Sequence, residues 1–390
     1  MYPQVFLKKD NAIYILKGHP WVFAPAIEKM PPINEGEICE IYSNEKFIGL
    51  GIWSGRVDIA IRILSREKTT IDATFFEKKF LSLKAERERF VHDTNAYRIV
   101  FGESDGLPGL VVDKYNDVMA IQFHNMGMHR MKNDIIKALV KVFSPKCIYD
   151  KSSDSMEKKE GFLAEKNCIY GKNDEEDVEI LENGFRFLVN IPKGQKTGFF
   201  LDQRDNRKSV VRFVKGLKVL NCFAYTGGFS VYAASVAKHV TTIDISQGAI
   251  DYARKNFEAN GFNPKKHTFL ATDAFEYMKN LQTGQFDCII IDPPSLARKK
   301  TQVPNAIKAY TSLNTAALKS LPDGGILISS SCTTHIDEAT FIQILRKSAE
   351  HARCSLKVLH SALQPPDHPY NLNFPEGRYL KFFVLLKNPG

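Results

Sequence analysis

The sequence predicts an α/β fold: a carboxyl-terminal parallel sheet covered by helices, preceded by a small β-rich module and a central α+β unit. Two observations carry this. From Leu217 onward the apolar runs LKVLNCF, HVTTIDI, KHTFLATD, FDCIIIDPP and GGILISSS alternate with amphipathic stretches, the pattern of βαβ units whose strands are buried on both faces. Before about Ser65, the short runs AIYIL, EICEIY and DIAIRILS are separated only by turn-prone KGHP, PPINEGE and WSGR, a spacing that suits a β-rich module.

In order along the chain, residues 1–70 form the β-rich module and residues 71–190 the α+β unit. The α+β unit opens with TFFEKKFLSLKAERERF, a helix by its three-and-four spacing, with the Lys and Arg residues on a solvated face. RIVFGESDGLPGLVVDKYNDVMAIQF follows as a hairpin turning through DKYND, then a helix in MKNDIIKALVKVF and further runs in KCIYDK and FRFLVNIP. Residues 191–390 form the alternating domain, with helices beginning near Gly228, Gln247, Ala274, Asn305 and Asp337.

The chain has 390 residues, 44% of them hydrophobic, enough for two or three domains. Lys and Arg total 53 against 44 Asp and Glu, a net charge of +9 that favours an anionic partner. The seven cysteines are scattered without a C-x-x-C pair, so free thiols in a reducing cytoplasm are expected and no metal is. MYPQVFLKKD lacks the apolar core of a signal peptide and no apolar run reaches membrane-spanning length, which predicts a cytoplasmic protein without membrane contact.

In a doubly wound sheet, ligands gather at the carboxyl ends of the strands. After the first run, Gly227 and Gly228 permit a tight turn into a helix. There is no G-x-G-x-x-G, which argues against a dinucleotide fold. The second run ends in Asp244, suited to ribose hydroxyls, and the third in Asp273, suited to an adenine amine; each acid alone is equally suited to capping the helix that follows. On successive strand ends they describe a nucleoside-binding crevice.

NCFAYTGGFS together with Asp244, Asp273 and DPPS at 292–295 resembles the Rossmann-like class I methyltransferases that use S-adenosylmethionine. HPWVF, FGESDGLPGLVVDKY, KTGFFLDQRDNR, SSCT and DHPYNLNFPEGRYLK narrow the resemblance to bacterial large-subunit ribosomal RNA cytosine-5 methyltransferases with an amino-terminal PUA domain. The resemblance spans nearly the whole chain. It implies S-adenosyl-L-methionine as cofactor and ribosomal RNA as partner, with the PUA-like module and the central unit positioning the RNA and a homodimer as a possible assembly. It implies cofactor contacts from Gln203, Asn221, Phe223, Tyr225, Thr226, Gly227, Asp244, Ser246, Asp273, Ala274 and Asp292. Pro293, Pro294 and Ser295 would meet the base; Ser295 stands where members often carry Lys.

The chemistry singles out Cys332. Carbon 5 of cytosine is a poor nucleophile, and a thiolate adding at carbon 6 activates it. Most cysteines are packing, and Cys222 and Cys288 lie in apolar runs where that reading is better. Cys332 lies among Ser329, Ser330, Ser331, Thr333 and Thr334, after the run neighbouring IIIDPPS and just before a helix start that favours thiolates. Cys332 is therefore expected as nucleophile. The resemblance assigns Asp292 to ring nitrogen 3 of the base, and His335 is expected to be a surface residue. Two alternatives stay open: methylation of an exocyclic amine of guanine or adenine, for which a D-P-P motif suffices without a thiol, and an RNA-binding assembly factor without turnover.

Overall fold

The computed structural model describes residues 2–389, which divide into two units. One unit comprises the residues up to Leu181 with Val189–Leu201 and Pro366–Gly377; the other comprises Glu182–Leu188, Asp202–Pro365 and the chain from Arg378 onward. Among the described residues no helix is long and apolar enough to cross a membrane.

The first unit holds two sheets. One has six strands in the spatial order Trp21–Phe23, Ile59–Ser65, Lys46–Trp53, Ile38–Ser43, Gln4–Leu7, Ile27–Lys29. AIYIL, expected among its strands, instead forms a short helix, Ala12–Leu16. The reason lies in its burial: Ala12 and Ile15 turn inward while Ile13, Tyr14 and Leu16 face solvent, a spacing of three that a strand cannot supply. The second sheet has five strands, in the order Cys168–Gly171, Cys147–Asp150, Val118–Phe123, Leu110–Tyr115, Ala96–Phe101.

Helix Ala73–Phe90 buries Phe76, Phe80 and Leu83. It also buries Arg87, expected on a solvated face, because the Arg87 guanidinium is paired with Asp105 at 2.5 Å and donates to the Arg98 carbonyl. Cys147 and Cys168 form a disulfide, where seven free thiols were expected. The two lie on paired antiparallel strands with Cα atoms 6.5 Å apart, within bridging reach. Strand pairing creates that proximity, which linear spacing does not reveal.

The second unit is built on a seven-stranded sheet. Its strands in chain order are β1 (Lys218–Cys222), β2 (His239–Asp244), β3 (Thr268–Ala271), β4 (Cys288–Ile291), β5 (Ile326–Ser331), β6 (Cys354–Ala362) and β7 (Lys381–Pro389). They lie in the order β3-β2-β1-β4-β5-β7-β6, with β1 to β5 parallel and β7 antiparallel to both β5 and β6. Helices start at Gly228, Gln247, Ala274, Val303 and Glu338, each within two residues of the expected place. Leu220, Ile289, Leu327 and Leu385 from β1, β4, β5 and β7 share one core with Tyr310, Leu313 and Phe341 from the helices. The order reverses between β1 and β4, which puts the ends of β1, β2, β4 and β5 around one crevice.

Candidate active site

The turn after β1 is built under strain. Phe223 and Tyr225 both adopt left-handed backbone conformations, with φ of 58° and 48°, and non-glycine residues hold such geometry only where their surroundings over-determine it. Here the surroundings are two bonds: the Ala224 N–H donates to the Ile243 carbonyl at 3.0 Å, and the Tyr225 N–H to Asp244 Oδ2 at 2.8 Å. Gly227 follows with φ 80°, and a Cβ there would lie 2.9 Å from the Ala253 Cβ. Glycine is needed twice over, for its conformation and for the approach of helix Gln247–Ala259.

The acids at the strand ends separate the two readings left open for them. Asp244 does not cap a helix: its carboxylate accepts from the Tyr225 N–H and, at 3.0 Å, from the Ser246 N–H, while the Ser246 hydroxyl does the capping by accepting from the Ala249 N–H. Asp273 does cap helix Ala274–Lys279, accepting from the Glu276 N–H at 3.0 Å. Beside it Ala274 is buried, and the ring of Phe275 meets that of Phe223 edge-on at 5.8 Å. Asn221 is buried within β1 and donates to Ser230 Oγ at 2.9 Å, anchoring helix Gly228–Ala234. Its Oδ1, like Thr226 Oγ1, is buried without a partner.

The DPPS and SSSCTT segments are stitched together. The Cys332 thiol lies 4.0 Å from the Pro293 carbonyl, in donor geometry, and the Leu296 N–H donates to Thr333 Oγ1 at 3.2 Å. Thr333 is fully buried and also meets the Tyr310 hydroxyl at 3.0 Å. Pro293 is buried, Pro294 and Ser295 are exposed, and Cys332 is part-exposed. His335 is exposed, as expected, and Asp337 caps helix Glu338–Ala352 by accepting from the Thr340 N–H. Cys222 and Cys288 are fully buried, and burial pushes both thiols up.

Gln203 reaches the same cluster from the segment before β1. Its amide donates to Asp292 Oδ1 and to Ser330 Oγ, both at 3.0 Å, and its Oε1 accepts from Asn206 at 2.7 Å. One residue was not anticipated. Lys381, at the start of β7, pairs in register with Ser331 and is buried. Its ammonium donates to the Thr333 carbonyl at 2.8 Å and the Tyr379 carbonyl at 2.7 Å. A lysine heading the apolar strand KFFVLL signals burial, but not the segment it meets.

Residues 161–374 match the family model of S-adenosylmethionine-dependent methyltransferases, and residues 5–66 match that of a PUA-like domain. The chain is 37% identical to the ribosomal RNA large subunit methyltransferase I of Aeromonas hydrophila, with 99% of each chain covered. It is 36% identical to that of Aeromonas salmonicida, with 98% of each covered. Among solved structures it is similar to SMU.776, described as a methyltransferase and complexed with SAH, with a TM-score of 0.85, 27% identity and 98% and 99% of the two chains covered. Matching over half its length to one model and end to end to curated relatives, the chain belongs to the S-adenosylmethionine-dependent methyltransferase family.

Proposed function

We propose that this protein methylates carbon 5 of a cytosine in large-subunit ribosomal RNA, with Cys332 as the attacking thiolate. The observation that carries the proposal is the Cys332 thiol at the Pro293 carbonyl, which joins the end of β5 to the DPPS loop. Ring-carbon methylation needs a nucleophile at that point; amine methylation does not. The curated relatives are named for large-subunit ribosomal RNA and match the chain from end to end, which supports that substrate.

The crevice suits the cofactor of the family. The orphaned Thr226 Oγ1 and Asn221 Oδ1 leave polar groups on the β1 side without partners in the protein. Phe223, Tyr225, Thr226 and Gly227 would hold the methionine portion and Asp244 with Ser246 the ribose. Asp273 and Ala274 would face the adenine. Asp244 keeps acceptor capacity beyond its two backbone bonds, since a carboxylate offers about four lone-pair sites. When bound, S-adenosylmethionine supplies an electrophilic methyl group.

The chain's own residues do the rest. The Cys332 thiolate forms a bond to carbon 6, and the ring π electrons move to carbon 5, making it the nucleophile. Asp292 shares a proton with ring nitrogen 3, drawing density from carbon 6. Once carbon 5 carries the methyl, loss of its proton to a base returns electrons to the ring and expels the thiolate. Reaching the base requires it unstacked from the RNA, a task assigned here to the PUA-like domain and the central unit, residues 71–190.

The test is trapping. With RNA carrying 5-fluorocytosine, carbon 5 has no proton to lose, so the protein should stay joined to RNA through denaturing electrophoresis, and Cys332→Ser should abolish the adduct. Full methyl transfer by Cys332→Ser, with the methyl found on an exocyclic amine, would overturn the proposal.

A further inference from the structure

We propose that Lys381 is a positioning residue for the reaction, its ammonium serving as the buried counter-charge that holds Cys332 as a thiolate. This rests on the reading of Cys332 as nucleophile. In the antiparallel pairing of β5 with β7, Lys381 lies opposite Ser331, the residue before Cys332. Its side chain is anchored on the carbonyl of Thr333, the residue after Cys332, and on that of Tyr379. The ammonium is thus fixed by the same three-residue segment that carries the thiol.

Its burial makes a second point. Only 3% of Lys381 is exposed, and a buried ammonium is costly unless a negative charge lies near. Two carbonyls satisfy hydrogen bonds but supply no net charge. Burial pushes the Lys381 ammonium down to about 8; the Cys332 thiolate and the Asp337 carboxylate oppose that, and Arg378 adds to it. Asp337 is exposed, committed to capping its helix, and held below the usual carboxylate range chiefly by its bond with Thr340. Asp292, after β4, and Tyr310, on helix Val303–Ser320, whose hydroxyl burial pushes up, also lie near Cys332, and the exposed His335 follows it in the same loop. Tyr310 is therefore neutral and Asp292 disfavours a thiolate, whereas Lys381 and Arg378 bring positive charge. Arg378 is exposed and paired with Glu338; Lys381 is buried and anchored on the thiol's own segment.

The experiment reads Cys332 in the free enzyme, without RNA. The pH dependence of its alkylation by iodoacetamide is followed by mass spectrometry of the peptide carrying it. Lys381→Gln keeps donors for the two carbonyls and removes the charge: its inflection should rise by at least one pH unit, with roughly tenfold slower alkylation at pH 7. Lys381→Arg should stay within half a unit of wild type. An unchanged inflection in a folded Lys381→Gln overturns the proposal.

Should the glutamine variant not fold, the wild-type protein gives the answer. The difference in thiolate absorbance between wild type and Cys332→Ser should titrate below the ordinary thiol value of about 8.5, and titration at or above that value overturns the proposal. Fluorocytosine trapping reports separately on whether Cys332 attacks the base, so failure of one reading is distinguishable from failure of the other.

Discussion

Gln203 donates to the Asp292 carboxylate and to the Ser330 hydroxyl with bonds of equal length, 3.0 Å. One side chain thus fixes the first residue of the DPPS loop against Ser330, near the end of β5. Its own carbonyl is held by Asn206, so the amide cannot flip without losing a buried bond. Both polar atoms of its side chain are engaged within the protein, in three hydrogen bonds. The residue expected as a cofactor contact is therefore placed to orient Asp292.

Gln203→Ala should slow methyl transfer by about 10- to 100-fold, the scale of an ångström of misplacement at a reacting centre. It should destabilise the fold by about 1–3 kcal/mol, the cost of leaving buried partners unmade. Steady-state kinetics and urea unfolding separate the two. An unchanged kcat alongside weakened cofactor binding would return Gln203 to the role of cofactor contact.

Gly227→Ala meets two obstacles at once, a left-handed backbone and the Ala253 side chain. The expected cost is about 1–3 kcal/mol of stability, as for other strained backbone positions. The strain falls in the turn proposed to cradle the cofactor, so binding should suffer too. A hundredfold excess of S-adenosylhomocysteine over its Kd should stabilise the wild type by about 2.7 kcal/mol. The variant, at that same concentration, should gain clearly less, as thermal unfolding with and without ligand would read.

The contrast between these two positions explains what the sequence disclosed. The turn at Gly227, the acids Asp244 and Asp273 and the helix starts follow from local patterns, and the caps at Ser246, Asp273 and Asp337 form within three residues of the side chain that makes them. Gln203 and Asp292 meet across 89 residues of sequence. Lys381 reaches the Cys332 segment only because β7 runs antiparallel to β5. Neither relation has a periodicity or motif to announce it. The same holds for Cys147 and Cys168, joined by strand pairing, and for AIYIL, whose β-branched residues read as strand until burial of Ala12 and Ile15 fixes a helix.

Arg207 and Glu182 form a buried bidentate pair, with bonds of 2.7 and 2.6 Å, and the Tyr232 hydroxyl donates to the same carboxylate at 3.0 Å. Removing one partner strands a charge in the interior. Arg207→Met should therefore cost about 3–5 kcal/mol, while replacing both, as Arg207→Met with Glu182→Leu, should recover most of the loss. Urea unfolding of the two variants decides it; equal destabilisation would mean that the pair contributes through packing alone. Because Arg207 sits one helical turn after Gln203, the single variant should also lower methyl transfer.

The thiols provide a test of the site that needs no substrate. Cys39, Cys222 and Cys288 are fully buried, and burial raises all three, Cys39 to about 12. A thiol whose pKa lies far above the ambient pH stays protonated, and the thiol form is not the nucleophile. At pH 8 iodoacetamide should therefore leave these three unmodified in the native protein and reach them only in denaturant. Cys354 is part-exposed, and burial also moves its thiol up, so it should react slowly. Cys332, part-exposed at the strand end, should account for the fast phase, and Cys332→Ser should remove that phase while leaving the slow one intact. Labelling of Cys222 at a rate matching Cys332 would mean that the core around β1 opens as readily as the site, and the assignment of a single reactive thiol would fall.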